Sequence, residues 1–284
     1  MPGTKIKEYN QVEGVGRGLL GIPAGILGSA IPVTVSNIYA TNTLLGGERV
    51  PKNTRKSDRA MMSQIAKNHG YNYAGKGVEG GTKWHNPTTG RTIHLSNNKQ
   101  SIFAGGPHYM PGTKSQEQMQ NRWKSMTSKE IAKDIRDFHK QKEGVIRLGD
   151  TTKLRNTPVL AHEMGHHLQG KNWMRVNTFG KIPNRLAPVG MILTNLAEAS
   201  GADPDTVDTV SKGIAGVGTL GGLATAASEA HASWLGSKKL PFKSRLKAFV
   251  GVPTYLGHAM APAAFYYGSK LLKDRFSNTL REED

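Results

Sequence analysis

The chain has 284 residues, room for one principal domain with a smaller companion and for a sizeable core. Its 38 Lys plus Arg against 21 Asp plus Glu give a formal net charge of +17, which suits an anionic partner such as nucleic acid, anionic lipid or an acidic wall polymer. There is no cysteine, so disulfides and thiolate metal sites are excluded, and any transition metal must be held by histidine and carboxylate.

At the N-terminus Glu8 and Glu13 interrupt the basic start and no small-residue cleavage site follows closely, so a secretory signal peptide is not expected. No charged residue occurs between Arg17 and Glu48, and residues 19–35 are apolar over nearly the length that crosses a bilayer. Pro23, Pro32 and the glycines at 21, 25 and 28 would damage a helix in water, whereas membranes tolerate them better. Gly21 and Gly25 also form a close-packing G-x-x-x-G pair. The lead, residues 1–47, is therefore expected either at a membrane or buried against other protein, which leaves membrane-associated, cytoplasmic and virion locations open.

Residues 48–143 form a basic, polar stretch. Within it 57–69 (SDRAMMSQIAKNH) reads as a helix ended by Gly70, and 84–96 (WHNPTTGRTIHLS) as a hairpin around Pro-Thr-Thr-Gly. This order, with the glycine-rich turn before it, resembles the double-stranded-RNA-binding-like fold of toxin ribonucleases from toxin–antitoxin systems. Lys83 stands where that family places its working histidine, so the resemblance implies a basic binding module and not a nuclease; the residues by themselves favour a surface hairpin with no function of its own.

Residues 156–170 (NTPVLAHEMGHHLQG) carry helix punctuation at both ends: Thr157 to cap, Pro158 for the first turn, and Gly170 as a left-handed residue after the last. Histidines at i and i+4 project from one face about 6 Å apart at Cβ, so His162 and His166 can converge on one tetrahedral cation. Glu163 stands about 100° round the helix, beside such a metal, placed to take a proton from an activated water and pass it to a leaving amine. At this composition the pattern His-Glu-x-x-His arises by chance roughly 0.015 times per chain. His167 lies about 140° from His162 and is expected in the surroundings of the site or at the surface.

The Gly- and Ala-rich residues 213–228 suit a helix lying very close to its neighbours. Immediately after them comes Glu229, on a helix expected to end near Gly236, with Ala232 and Ser233 making its face small enough to press on the first helix. A catalytic zinc takes three protein ligands and an open position. Glu229 is the favoured third ligand, with His231, His258 and Glu198 as alternatives; His231 points to the opposite side from Glu229, so one straight helix cannot offer both. Residues 249–269, low in charge but containing Pro253, His258 and Pro262, read as packed helix in preference to a hairpin against a membrane.

The segments VLAHEMGHHLQG and SEAHAS together resemble the membrane-associated neutral zinc metallopeptidases of bacteria, gluzincin-like enzymes with the pattern His-Glu-x-Gly-His-x-x-Gln and then Glu-x-x-Ala-Ser. The resemblance covers about residues 144–236. It implies Zn2+ held by His162, His166 and Glu229, with Glu163 as general base. It also implies a strand at 144–150 along the cleft, whose backbone edge near Ile146 pairs with extended peptide. A group stabilising the tetrahedral oxyanion is needed as well, and His231 and His258 are the candidates.

The expectation is a mainly α protein with minor β structure, a zincin-like helix pair at 144–240 beside a small basic α+β module at 48–143, with basic and apolar helices at 241–284. The activity expected is a zinc metalloendopeptidase acting on peptide or protein substrate. A second class is a basic structural or delivery protein, such as a phage virion component binding nucleic acid or a bacterial envelope, in which the peptidase fold is accessory.

Overall fold

A computed structural model describes residues 2–45, 55–96, 108–112, 116–138, 142–147 and 157–282. The protein is mostly helical with one small five-stranded sheet, and its contacts divide the chain into two units. The first comprises Met1–Ala40, Val176–Ala227 and Val252–Asp284; the second comprises Thr41–Arg175 and Ser228–Gly251.

In the second unit, α2 (Arg55–Asn68) is closed by Gly70 at a φ of 81° that glycine adopts without penalty. Strands β1 (Asn72–Lys76), β2 (Thr82–Asn86) and β3 (Arg91–Ser96) follow as an antiparallel meander. The β2–β3 turn is held by Asn86, whose side-chain oxygen accepts from the amides of Thr88 and Thr89. Strand β4 (His108–Pro111) and the helices α3 (Gln116–Trp123) and α4 (Ser128–Phe138) come next, α4 being opened by a capping box between Thr127 and Glu130.

Strand β5 (Glu143–Arg147) inserts between β3, to which it is parallel, and β4, to which it is antiparallel, giving the order β1-β2-β3-β5-β4. The expected strand at 144–150 thus exists over its first residues, while 148–150 lie outside the described residues. Its expected free edge does not exist: Ile146 pairs with Leu95 on one side and Tyr109 on the other, and the edge belongs to β4. The alternation of the strands sends Trp84, Ile93, Leu95 and Ile146 to one face. There they meet Met62 and Ile65 of α2 and Leu160, Ala161 and Met164 of α5 (Thr157–Leu168). Each large apolar side chain so buried contributes about 1.5–3 kcal/mol, and together they fix α5 against the sheet.

The first unit consists of four helical stretches. They belong to α1 (Pro2–Leu45), α6 (Lys171–Ala199), α7 (Pro204–Ser237) and α9 (Val252–Glu282); the short α8 (Phe242–Lys247) falls in the second unit. Glycines bring the backbones together: a side chain at Gly28 would strike Ala264, one at Gly221 would strike Gly180, and one at Gly222 would strike Ala259. The expectation of close packing for 213–228 is met at 218, 221 and 222, while Gly213 and Gly216 face open space.

Phe265, Tyr266 and Met191 are buried among these small residues, while many leucines point out. Leu27, Leu186, Leu220 and Leu271, one from each helix, are 60–69% exposed. Charge is inside instead: Glu198, 1% exposed, accepts from Arg17 at 2.9 Å and from Lys273 at 2.5 Å, and Arg17 also donates to Ser277. Within α1, Glu13–Ile38 has a mean hydropathy of 1.7 and is long and apolar enough to cross a membrane.

Candidate metal centre

Every residue of α5 from Pro158 onward is at least partly buried, because each of its sides faces something. Leu160, Ala161 and Met164 enter the core. Gly165 and Ala161 face α7, where a side chain on Gly165 would overlap the carbonyl of Ala232 and one on Gly236 would overlap that of Ala161. The two helices therefore touch backbone to backbone, as the small residues around Glu229 led one to expect. Gly170 does not take the left-handed conformation predicted for it. Its carbonyl instead accepts from Met174 as the chain turns directly into α6, so it serves the start of the next helix and not the end of this one.

This crossing brings His162, His166 and the buried Glu229 into one group. His166 Nε2 lies 3.1 Å from His162 Nε2 and 3.0 Å from Glu229 Oε2, and His162 Nε2 lies 3.2 Å from the same oxygen. Three donors at these separations approach one face of a tetrahedron with metal bonds of about 2.0–2.1 Å, whose edge is about 3.3 Å. The donor set, two imidazoles and a carboxylate with no thiolate, suits a borderline divalent ion such as zinc.

Both imidazoles are gripped from behind. His166 Nδ1 lies 3.0 Å from Gln169 Oε1, which can only accept, so Nδ1 carries the hydrogen and Nε2 presents its lone pair to the cluster. Gln169 is itself fixed, its amide nitrogen donating to the Ser228 carbonyl. His162 Nδ1 meets Ser233 Oγ at 2.8 Å. Such partners set ring orientation in metal sites. Neither was expected to hold an imidazole, Ser233 being read only as part of a small helix face, although His-x-x-Gln and Glu-x-x-Ala-Ser spell both and spacings of three and four on a helix signal shared faces.

The electrostatics favour a cation. Burial lowers the His166 pKa, but the Glu229 charge and hydrogen bond outweigh it and lift the value to about 9. Burial alone would raise Glu229, and the two histidines hold it well below the usual carboxylate range.

Glu163 stands outside the three-residue group, as its helical position requires, and its charge is felt at His166. Its carboxylate accepts the backbone N–H of Tyr109, on the edge strand β4, at 2.7 Å. Nothing in the sequence marked Tyr109, because strand pairing decides which backbone amides face outward. His167, expected near the site or at the surface, is buried, packed against the rings of Tyr71 and Tyr109, and its carbonyl accepts from Arg91.

Of the remaining candidates, His231 is not in the group but lies behind it, Nδ1 at 3.4 Å from the Gln169 amide nitrogen, with its ring stacked on Trp173. His258 and Glu198 belong to the first unit, where the His258 carbonyl accepts from Asn184 and Glu198 is paired with Arg17 and Lys273. Compared with known proteins, the chain matches no family model, no curated protein and no solved structure.

Proposed function

We propose that this chain is a zinc-dependent metallopeptidase, with His162, His166 and Glu229 as the metal ligands and Glu163 as the general base. The observation that carries the reading is the triangle of ligand atoms 3.0–3.2 Å apart, together with a Gln169 contact that turns the His166 lone pair into it. When bound, a zinc ion supplies Lewis acidity that polarises water and a substrate carbonyl. Glu163 takes the proton from attacking water at its carboxylate and delivers it to the departing amine. The Tyr109 amide orients that carboxylate and, being on the sheet's edge strand, ties it to the strand beside which an extended peptide would run.

The chain is also proposed to be membrane-associated. Support comes from the hydropathy of Glu13–Ile38 and from leucines facing outward on all four helices of the first unit while Glu198 and its ion pairs lie inside. Flotation with liposomes that survives high salt, and is weakened on deleting residues 1–47, is the expected result.

The chemistry is tested on purified protein, which should hold about one zinc per chain and cut a peptide library in a chelator-sensitive way. Glu163→Gln should keep the metal and fall below about a tenth of the wild-type rate. Full zinc occupancy after replacing both His162 and His166 by alanine would sink the assignment, and tight, salt-sensitive nucleic-acid binding with no turnover would select the structural alternative.

A further inference from the structure

The metal-bearing unit carries side chains on its surface that neither the metal centre nor the core uses. Trp173 and Trp234, 37% and 53% exposed, flank His231, with ring centroids 4.5 and 6.1 Å from it and planes tilted by only 21° and 25°. Phe242 and Leu246, four positions apart on α8, are 70% and 57% exposed. The turn joining these two pairs is ordered by Arg245, which donates to the carbonyls of Lys238 and Leu240. Lys238, Lys239 and Lys247 are exposed beside them. No acidic residue occurs at 164–197 or 230–273, so the sequence around this surface supplies the lysines with no local counter-charge.

Amphipathic rings beside lysines in a stretch of sequence without acidic residues match the boundary of an anionic bilayer, where indoles sit at headgroup level and lysines meet phosphate. Nucleic acid would satisfy the lysines but would leave Phe242 and Leu246 against a phosphodiester backbone that offers them no apolar contact. An amphipathic helix turned toward lipid satisfies both.

We infer that this surface of the second unit seats on an anionic bilayer, and that the peptides cut are membrane-tethered segments close to the headgroups. Only the second half rests on the metallopeptidase reading. Trp234 follows Glu229 by five residues on one helix, about 7.5 Å of rise, so a seated Trp234 puts the metal ligands within about a nanometre of the interface.

The test uses the full chain in vesicles of phosphatidylcholine and phosphatidylglycerol with bromine on the acyl chains near the headgroups. Tryptophan fluorescence should be quenched, and Trp173→Phe with Trp234→Phe, which keep the stack, should remove that quenching. No quenching, or quenching that survives both replacements, overturns the seating, and binding of DNA or RNA through Lys238 and Lys239 without quenching would assign the surface to nucleic acid. In the second arm one peptide is offered both free and tethered to the vesicles. The ratio of tethered to free cleavage should fall about tenfold in Phe242→Ser/Leu246→Ser, through loss of effective concentration; an unchanged ratio overturns the substrate half. Failure to cut either form refutes the metallopeptidase reading and with it the substrate half, while the quenching result decides the seating by itself.

Discussion

Gln169 Oε1 accepts the Nδ1 hydrogen of His166 at 3.0 Å, and this one contact decides which nitrogen of the ring faces Glu229. Replacing Gln169 by methionine keeps the volume and removes the acceptor. Zinc affinity should fall about 10–100-fold, read by competition with a chromophoric chelator. An affinity within about twofold of wild type would mean that the crossing of α5 and α7 alone orients the ring.

Glu229 reaches His166 from 63 positions along the chain, so a metal bound there is a staple between α5 and α7. Glu229→Ala should lower both zinc affinity and the thermal stability of the zinc-loaded protein. His231→Ala should leave zinc content unchanged, since that ring stacks on Trp173 behind the cluster. Loss of metal from the His231 variant would move the ligand assignment.

His167 gives a pH dependence of definite sign. Burial first, then the charges of Arg91 and His94, push its pKa from 6.5 down to about 3, so it folds neutral. Stability from this residue is complete above pH 6.5 and is lost as pH falls from there toward 3, because the unfolded chain takes up the proton first. Between pH 7 and pH 5 the loss is about 2 kcal/mol, or roughly 3–6 °C in melting temperature. His167→Asn should start less stable and show a flatter slope over that range; parallel slopes would refute the assignment.

In the first unit Glu198 neutralises two cations at once. Glu198→Gln removes the anion beside the buried Lys273 and leaves the half-buried Arg17 only Glu13, at 3.9 Å, and should cost about 3–5 kcal/mol in detergent-solubilised protein followed by circular dichroism. Lys273→Met should cost less, since Arg17 still holds the carboxylate. Equal losses would show that the cluster does not act as a unit.

The parts legible in the sequence are those set by local geometry. A helix repeat places His162 and His166 together whatever the rest of the fold does, and Gly70 ends α2 because only a residue free to adopt its φ of 81° fits there. Glu229 is favoured by the small face that Ala232 and Ser233 give its helix and by the Glu-x-x-Ala-Ser resemblance, while its 63-residue separation from His166 is bridged by no local rule. Strand β4 was not legible: four residues, one of them proline, carry no alternation to read. The free edge that the metallopeptidase resemblance implied at Ile146 is instead covered by this strand, a matter of pairing and not of propensity. Pro183, Pro188 and Pro262 signal breaks in an isolated segment, yet α6 and α9 run through them because their neighbours hold the backbone.

Helix α5 has no position from 158 to 168 that is fully exposed. Most proteins keep a stretch of each helix free for neutral change, and this one has none to spare. A library randomised across these eleven positions and selected for activity should therefore be depleted nearly everywhere, at Leu160 and Gly165 as sharply as at the histidines. Such a profile would make hydrophobic and glycine positions indistinguishable from chemical ones, and only zinc content or the melting temperature of each survivor would separate the residues that react from those that hold them in place.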